Sequence, residues 1–162
     1  IQRNYLVQIY IQTQYPKKYL AVHKEKEMAD LNSLCQNLVS DVSDALGAAV
    51  VDLSSGLLLA AHHNVPYFTQ SYLDAVAAAA VDMFRGKTIS TVEKMLSSQR
   101  GAEVTHSIKE VQMSTERTYH FMSVVPGKED CLMVLITGRK ANLGMGWSAM
   151  RGVLPDIAPL CP

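Results

Sequence analysis

From Met28 onward the apolar positions fall into alternating helical and strand periods. Leu31, Leu34, Cys35, Leu38, Val42, Ala45 and Leu46 recur at helical spacing, with Asp30 placed to cap the start and Gly47 to end the helix. Residues 48–53 (AAVVDL) form an apolar run of strand length. Ser54-Ser55-Gly56 is turn chemistry, and residues 57–61 (LLLAA) are a second run, so the pair reads as a β-hairpin. His62-His63-Asn64 and Pro66 end it.

Residues 72–85 (YLDAVAAAAVDMFR) predict a helix whose stripe is Leu73, Val76, Ala77, Ala80, Met83 and Phe84. Its alanines allow another helix to approach closely. Gly86 interrupts, Ile89, Val92, Met95 and Leu96 resume the period, and one long helix or two collinear ones end by Gly101. Val104, His106 and Ile108 then alternate as in a strand, and the step to Val111 and Met113 implies a bulge. A turn at residues 114–117 leads to an alternating run over 118–125. After Pro126-Gly127-Lys128, residues 131–137 (CLMVLIT) are apolar on both faces, as in a central, doubly covered strand. A last helix begins near Asn142, with Leu143, Trp147, Met150, Leu154 and Ile157 on one stripe. Gly144, Gly146 and Gly152 weaken it, unless they let it sit close to the sheet, and Pro155 should kink or end it.

The order helix, two strands, helix, three strands, helix defines an α+β domain, a five-stranded antiparallel sheet with helices on both faces. Residues 28–162 hold it. Residues 1–27 read differently: five basic residues against two acidic give them +3 and leave −3 on the remainder. They are an upstream extension outside the core, or an arm that adds a strand to a sheet edge.

Composition narrows the function. Apolar residues are 48 % and charged residues 19 % of 162, and 15 basic residues balance 15 acidic ones. A zero balance argues against a nucleic-acid binder, whose affinity comes from neutralising phosphates. No apolar run approaches the ~20 residues of a membrane span. Three cysteines without CxxC spacing argue against a disulfide framework or a zinc site, and the thiols are expected reduced in a cytoplasmic protein.

No catalytic constellation emerges. Cys35 and Cys131 fall on apolar stripes and read as small hydrophobes, and Cys161 as incidental. His62 and His63 point to opposite faces of a strand, a poor chelate. His106 and His120 read as cross-strand partners on a polar sheet surface. Asp41, Asp44 and Asp82 mark solvated helix faces, and no carboxylate pair has the spacing of a general acid and base. The glycines of NLGMG (residues 142–146) match neither GxxxxGK[ST] nor GxGxxG after a strand. No metal, cofactor or catalytic residue is expected.

The combination of GAAVVDLSSGLLLAA (residues 47–61), an alanine-rich central helix, a buried strand ending in Gly138-Arg139 and ANLGMGWSAMR (residues 141–151) resembles the Roadblock / dynein light chain family. The likeness spans roughly residues 28–158, in the right order and at the right lengths. It implies a profilin-like, non-enzymatic module that dimerises. The dimer would form through the central helix (Leu73, Val76, Ala77, Ala80, Met83, Phe84) and the third strand (Val104, His106, Ile108). It also implies regulation or scaffolding of a Ras-like small GTPase or a motor-type complex. Arg85, Arg100, Arg117 and Arg139 read as solvated charges rather than inserted arginine fingers. The alternative is a small-molecule sensor with His106, Tyr119 and His120 lining its pocket.

Overall fold

A computed structural model describes residues 30–162; the expectations for residues 1–27 lie outside them. The elements are α1 (Leu31–Asp41), β1 (Ala45–Asp52), β2 (Leu58–His63), α2 (Gln70–Arg85), α3 (Lys87–Arg100), β3 (Glu110–Ser114), β4 (Thr118–Val125), β5 (Lys128–Gly138) and α4 (Leu143–Ile157), closed by a 3-10 turn (Ala158–Leu160). The five strands form one antiparallel sheet in the order β2-β1-β5-β4-β3.

β5 is the middle strand, and its two-faced apolarity divides the core. Cys131, Met133 and Leu135 pack with Leu34, Leu38, Met150 and Leu154 on the α1/α4 face. Leu132, Val134 and Ile136 pack with Ala77, Ala80 and Phe84 of α2 on the other. The fold class expected from the periodicities is the one observed.

Several boundaries differ. The first helix stops at Asp41 rather than Leu46, because Asp44 takes a left-handed φ of 63° and turns the chain into β1. Val42 and Ala45 still reach the core, from the turn and the strand, which is why they kept a helical period. Gly47 therefore lies inside β1; a Cβ on it would stand 3.1 Å from His63 Cβ and 3.2 Å from the Phe68 ring. The hairpin turn is held by Asp52, whose carboxylate accepts the Ser54 N–H and both serine hydroxyls, while Gly56 supplies a φ of 74°. Those bonds, the Ser55 hydroxyl first, hold the Asp52 pKa below its usual value.

α2 and α3 are separate helices, because Gly86 has a ψ of 160°. Gly101 ends α3 at φ 66°. The bulge expected near Val111 is absent, since β3 pairs with β4 in unbroken register from Glu110↔Ser123 to Ser114↔Tyr119. Pro155 does not stop α4, which runs on to Ile157 and still bonds the Ala158 N–H to the Leu154 carbonyl.

The expectation of reduced thiols is corrected at two of the three. Cys131 and Cys161 form a disulfide, with Cα atoms 6.4 Å apart across 30 residues. The chain beyond α4 returns to the start of the β5 apolar run, a convergence that Cys spacing does not encode. Cys35 is buried outside this bond.

Candidate functional site: an open strand edge beside an exposed helix stripe

β3 is an outer strand of the sheet. The Lys109 carbonyl accepts the Val124 N–H at 2.9 Å, and the Thr115 N–H donates to the Thr118 carbonyl at 2.9 Å. Odd-numbered residues thus spend their backbone groups on β4, and Glu110, Gln112 and Ser114 turn theirs outward. Among the described residues nothing pairs with this edge, and such an edge is a template for another strand.

The side chains of β3 are sorted by face. Val111 and Met113 lean onto the α2 side. Glu110 and Gln112 reach α4. Arg151 Nε and Nη2 donate to the two Glu110 oxygens at 3.0 and 2.7 Å, and Trp147 Nε1–H donates to Gln112 Oε1 at 3.1 Å. The Arg151 pair lowers the Glu110 pKa. Trp147 stands edge-on to Phe121 at 5.4 Å, with the Arg151 guanidinium 5.0 Å from its indole centre.

Beside Met113 runs a groove of about 340 Å³ between α2 and the β3/β4 ribbon. Tyr72, Val76 and Met83 form one wall, and Met113, Met122 and His120 the other. His120 is 8 % exposed, and burial lowers its pKa. Its Nε2 lies 2.9 Å from Thr118 Oγ1, which meets Thr115 Oγ1 at 2.6 Å.

The six helix residues singled out from the sequence divide. Ala77, Ala80 and Phe84 are at most 1 % exposed and serve the domain's own core. Leu73 packs partly against that core. Val76 and Met83 line the groove. The outward stripe is one step around the helix: Tyr72, Ala75, Val76, Ala79 and Met83, with Ala75 and Ala79 exposed. A run of four consecutive alanines gives no contrast to phase the helix, which is why sequence reasoning missed Ala75 and Ala79.

Val104, His106 and Ile108 do not lie on a strand; they occupy an irregular segment between α3 and β3. Side chains of α3 take the hydrogen-bonding groups that a strand partner would have taken. Glu93 Oε1 accepts the Ser107 N–H at 2.7 Å and its hydroxyl at 2.8 Å, and Ser97 Oγ accepts the Val104 N–H at 2.8 Å. The bond from the Ser107 N–H is the largest cause lowering the Glu93 pKa. His106 has a φ of 50°, outside strand geometry. It contacts Glu129 (3.2 Å), not His120, and Glu129 also accepts from Lys109 Nζ at 3.1 Å. Ile108 leans on the α2-side core.

The sensor reading gathers only one of its three residues, since His120 alone lines the groove. Tyr119 packs toward the α4-side core under the Arg139 guanidinium, 4.4 Å from its ring centre. Arg139 also donates to the Thr115 carbonyl, and Arg85 spans from α2 to the Glu129 carbonyl at 2.6 Å, so both are structural links. Asp44 likewise serves a turn, accepting the Lys140 N–H at 2.9 Å. Among the described residues no group of three His, Cys, Asp or Glu side chains is gathered to hold a metal ion. None of the described helices is long and apolar enough to cross a membrane.

No protein-family model matches the sequence, and a search of curated proteins finds no match. Solved structures do match. A Roadblock/LC7 domain from Streptomyces avermitilis aligns at 20 % identity and a TM-score of 0.60, covering 81 % of this chain and 97 % of that one. MglB of Myxococcus xanthus aligns at 14 % identity and 0.59, covering 80 % and 92 %. An MglB described with a tetrameric arrangement aligns at 17 % identity and 0.60, covering 79 % and 85 %. The fold is therefore of the Roadblock type.

Proposed function

We propose that residues 28–162 are a non-enzymatic, homodimeric Roadblock-type module that regulates or scaffolds a Ras-like small GTPase or a motor-type complex. One juxtaposition carries the reading: the open β3 edge and the outward Tyr72/Ala75/Ala79/Met83 stripe flank the same groove. A second copy fits both features at once. Its β3 pairs antiparallel to the first about Gln112, and its α2 lies along the alanines, where small side chains allow close approach. Val111 and Met113 then continue one apolar surface across the two protomers. A solved structural neighbour described in a tetrameric arrangement supports self-association. The absence of a catalytic constellation in the sequence favours a partner-binding role over chemistry.

Concentration-dependent sedimentation tests the dimer, with a dimer expected at micromolar protein. Gln112→Cys tests its register. Across the two-fold axis the two position-112 residues would be a hydrogen-bonded pair about 5.5 Å apart at Cα, within disulfide reach. A cross-linked dimer is expected on oxidation, and a monomer at every concentration overturns the reading. For the partner, purified Ras-like GTPases in GDP and GTP-analogue forms are titrated with the dimer. Binding that depends on the nucleotide is expected, and a dimer that binds none of them removes the GTPase assignment.

A further inference from the structure

α4 is an intrinsically weak helix. Gly144, Gly146, Gly152 and Pro155 fall within its fifteen residues, where Gly and Pro are the least favourable helix formers. Its far end is tied from outside. The Cys131–Cys161 bond joins the chain beyond α4 to the middle strand. Lys128 Nζ donates to the carbonyls of Cys161 and Pro162 at 3.0 and 3.1 Å. Meanwhile Trp147 and Arg151 of α4 hold Gln112 and Glu110 of β3, a five-residue strand paired, among the described residues, with β4 alone. A covalent bond thus anchors the helix that braces the sheet edge.

We propose that the Cys131–Cys161 disulfide is a redox latch. Closed, it seats α4 on the sheet and, through Trp147 and Arg151, orders β3; opened by a dithiol reductant, it releases the end of α4 and loosens β3. A thiolate of the reductant attacks one cysteine Sγ, forming a mixed disulfide and expelling the other cysteine as a thiolate, which takes up a proton. The second thiol of the reductant then attacks its own sulfur in the mixed disulfide. That step frees the first cysteine as a thiol and leaves the reductant as a cyclic disulfide. Two electrons and two protons pass to the protein. Both cysteines are buried, at 3 % and 6 % exposure, so attack follows local opening of residues 158–162. Lys128 is the gate on that opening.

The proposal concerns order within one protomer and does not rest on the dimer. The full chain is studied oxidised, reduced with dithiothreitol, and reoxidised, with thiols counted in each state: one per chain when the bond is closed and three when it is open. Trp147 is the sole tryptophan and reports α4 docking directly. On reduction, acrylamide quenching of Trp147 is expected to rise about twofold. Amides of residues 110–114 and 152–157 should exchange about tenfold faster while β1 and β5 keep their protection. Reoxidation should reverse both changes. Full reduction that leaves Trp147 and β3 unchanged overturns the latch. Equal loss of protection in β1 and β5 also overturns it, since the bond is then a global staple. Lys128→Ala should shorten the reduction half-time severalfold; an unchanged half-time removes Lys128 as the gate.

Discussion

Phe121 occupies the space that a side chain on Gly146 would need: a Cβ there would stand 2.6 Å from the Phe121 Cζ and 2.9 Å from Cε1. This contact lets α4 lie directly on the sheet, with Gly146 itself buried. Gly152, on the same helix, has nothing within 4 Å of the equivalent position. The two glycines therefore respond to alanine with opposite signs. Gly146→Ala gains about 1 kcal/mol of helix propensity but overpacks by up to about 3 kcal/mol, a net loss of up to about 2 kcal/mol. Gly152→Ala gains about 0.5–1 kcal/mol. Urea unfolding of both variants checks the pair. Equal shifts in the same direction would show that Phe121 is not what requires the glycine.

Legibility from sequence followed the strength of each period. β5 was readable because a run apolar on both faces has one home, the centre of a covered sheet. α4 announced its start through Asn142, whose side chain accepts the Met145 N–H. What failed depended on distant partners. The alternation of Val104, His106 and Ile108 became an irregular segment because Glu93 and Ser97, on another element, claimed its hydrogen-bonding groups. The Cys131–Cys161 pairing required knowing that the chain turns back after α4. The exposed alanine stripe was hidden because consecutive alanines carry no phase.

Ala79→Glu separates the two sides of α2. Ala79 is exposed, so a carboxylate there is solvated in a lone protomer and leaves the unfolding midpoint within about 0.5 kcal/mol. In the proposed dimer the same charge is desolvated without a partner, and self-association should weaken by about a hundredfold or more. Thr88→Glu, on the exposed start of α3, is the control and should leave association unchanged. Ala80→Arg behaves differently again, because Ala80 is 1 % exposed and the charge would disrupt the protomer's own core. Sedimentation and circular dichroism on the three variants distinguish these outcomes; a dimer indifferent to Ala79→Glu removes α2 from the interface.

His120 gives the domain an acid-side slope. Burial lowers its folded pKa below the usual 6.5, so the unfolded chain binds a proton more readily than the folded one. Its contribution is whole above about pH 6.5 and declines as pH falls toward the folded value, at no more than about 1.4 kcal/mol per pH unit. Met113 and Ile136, opposite it on β3 and β5, and Tyr72, Val76 and Met83 across the groove bring no cation or carboxylate to offset a charged ring. His120→Leu should flatten the stability profile between pH 6.5 and 5, a window above the depressed carboxylate pKa values. Parallel profiles for the wild type and the variant would place the slope elsewhere.

Glu93 is the only buried residue of α3, and its carboxylate holds the segment that leads into β3. Removing the side chain as Glu93→Ala takes the acceptor from the Ser107 N–H and hydroxyl, which water replaces in part because Ser107 is exposed, and should cost about 1–2 kcal/mol. Glu93→Gln keeps an acceptor oxygen and loses only the charge, for a cost of about 1 kcal/mol. Because the Ser107 bonds lower the folded pKa of Glu93, its contribution is present above about pH 4.5 and is lost as pH falls through the folded value. Glu93→Gln should therefore remove part of the acid sensitivity below pH 4.5 and leave the His120 window intact. Hydrogen exchange over residues 101–109 is the local readout: faster for Glu93→Ala and near wild type for Glu93→Gln. Unchanged exchange in both would mean that the irregular segment is held by Ser97 and Ile108 rather than by the buried carboxylate.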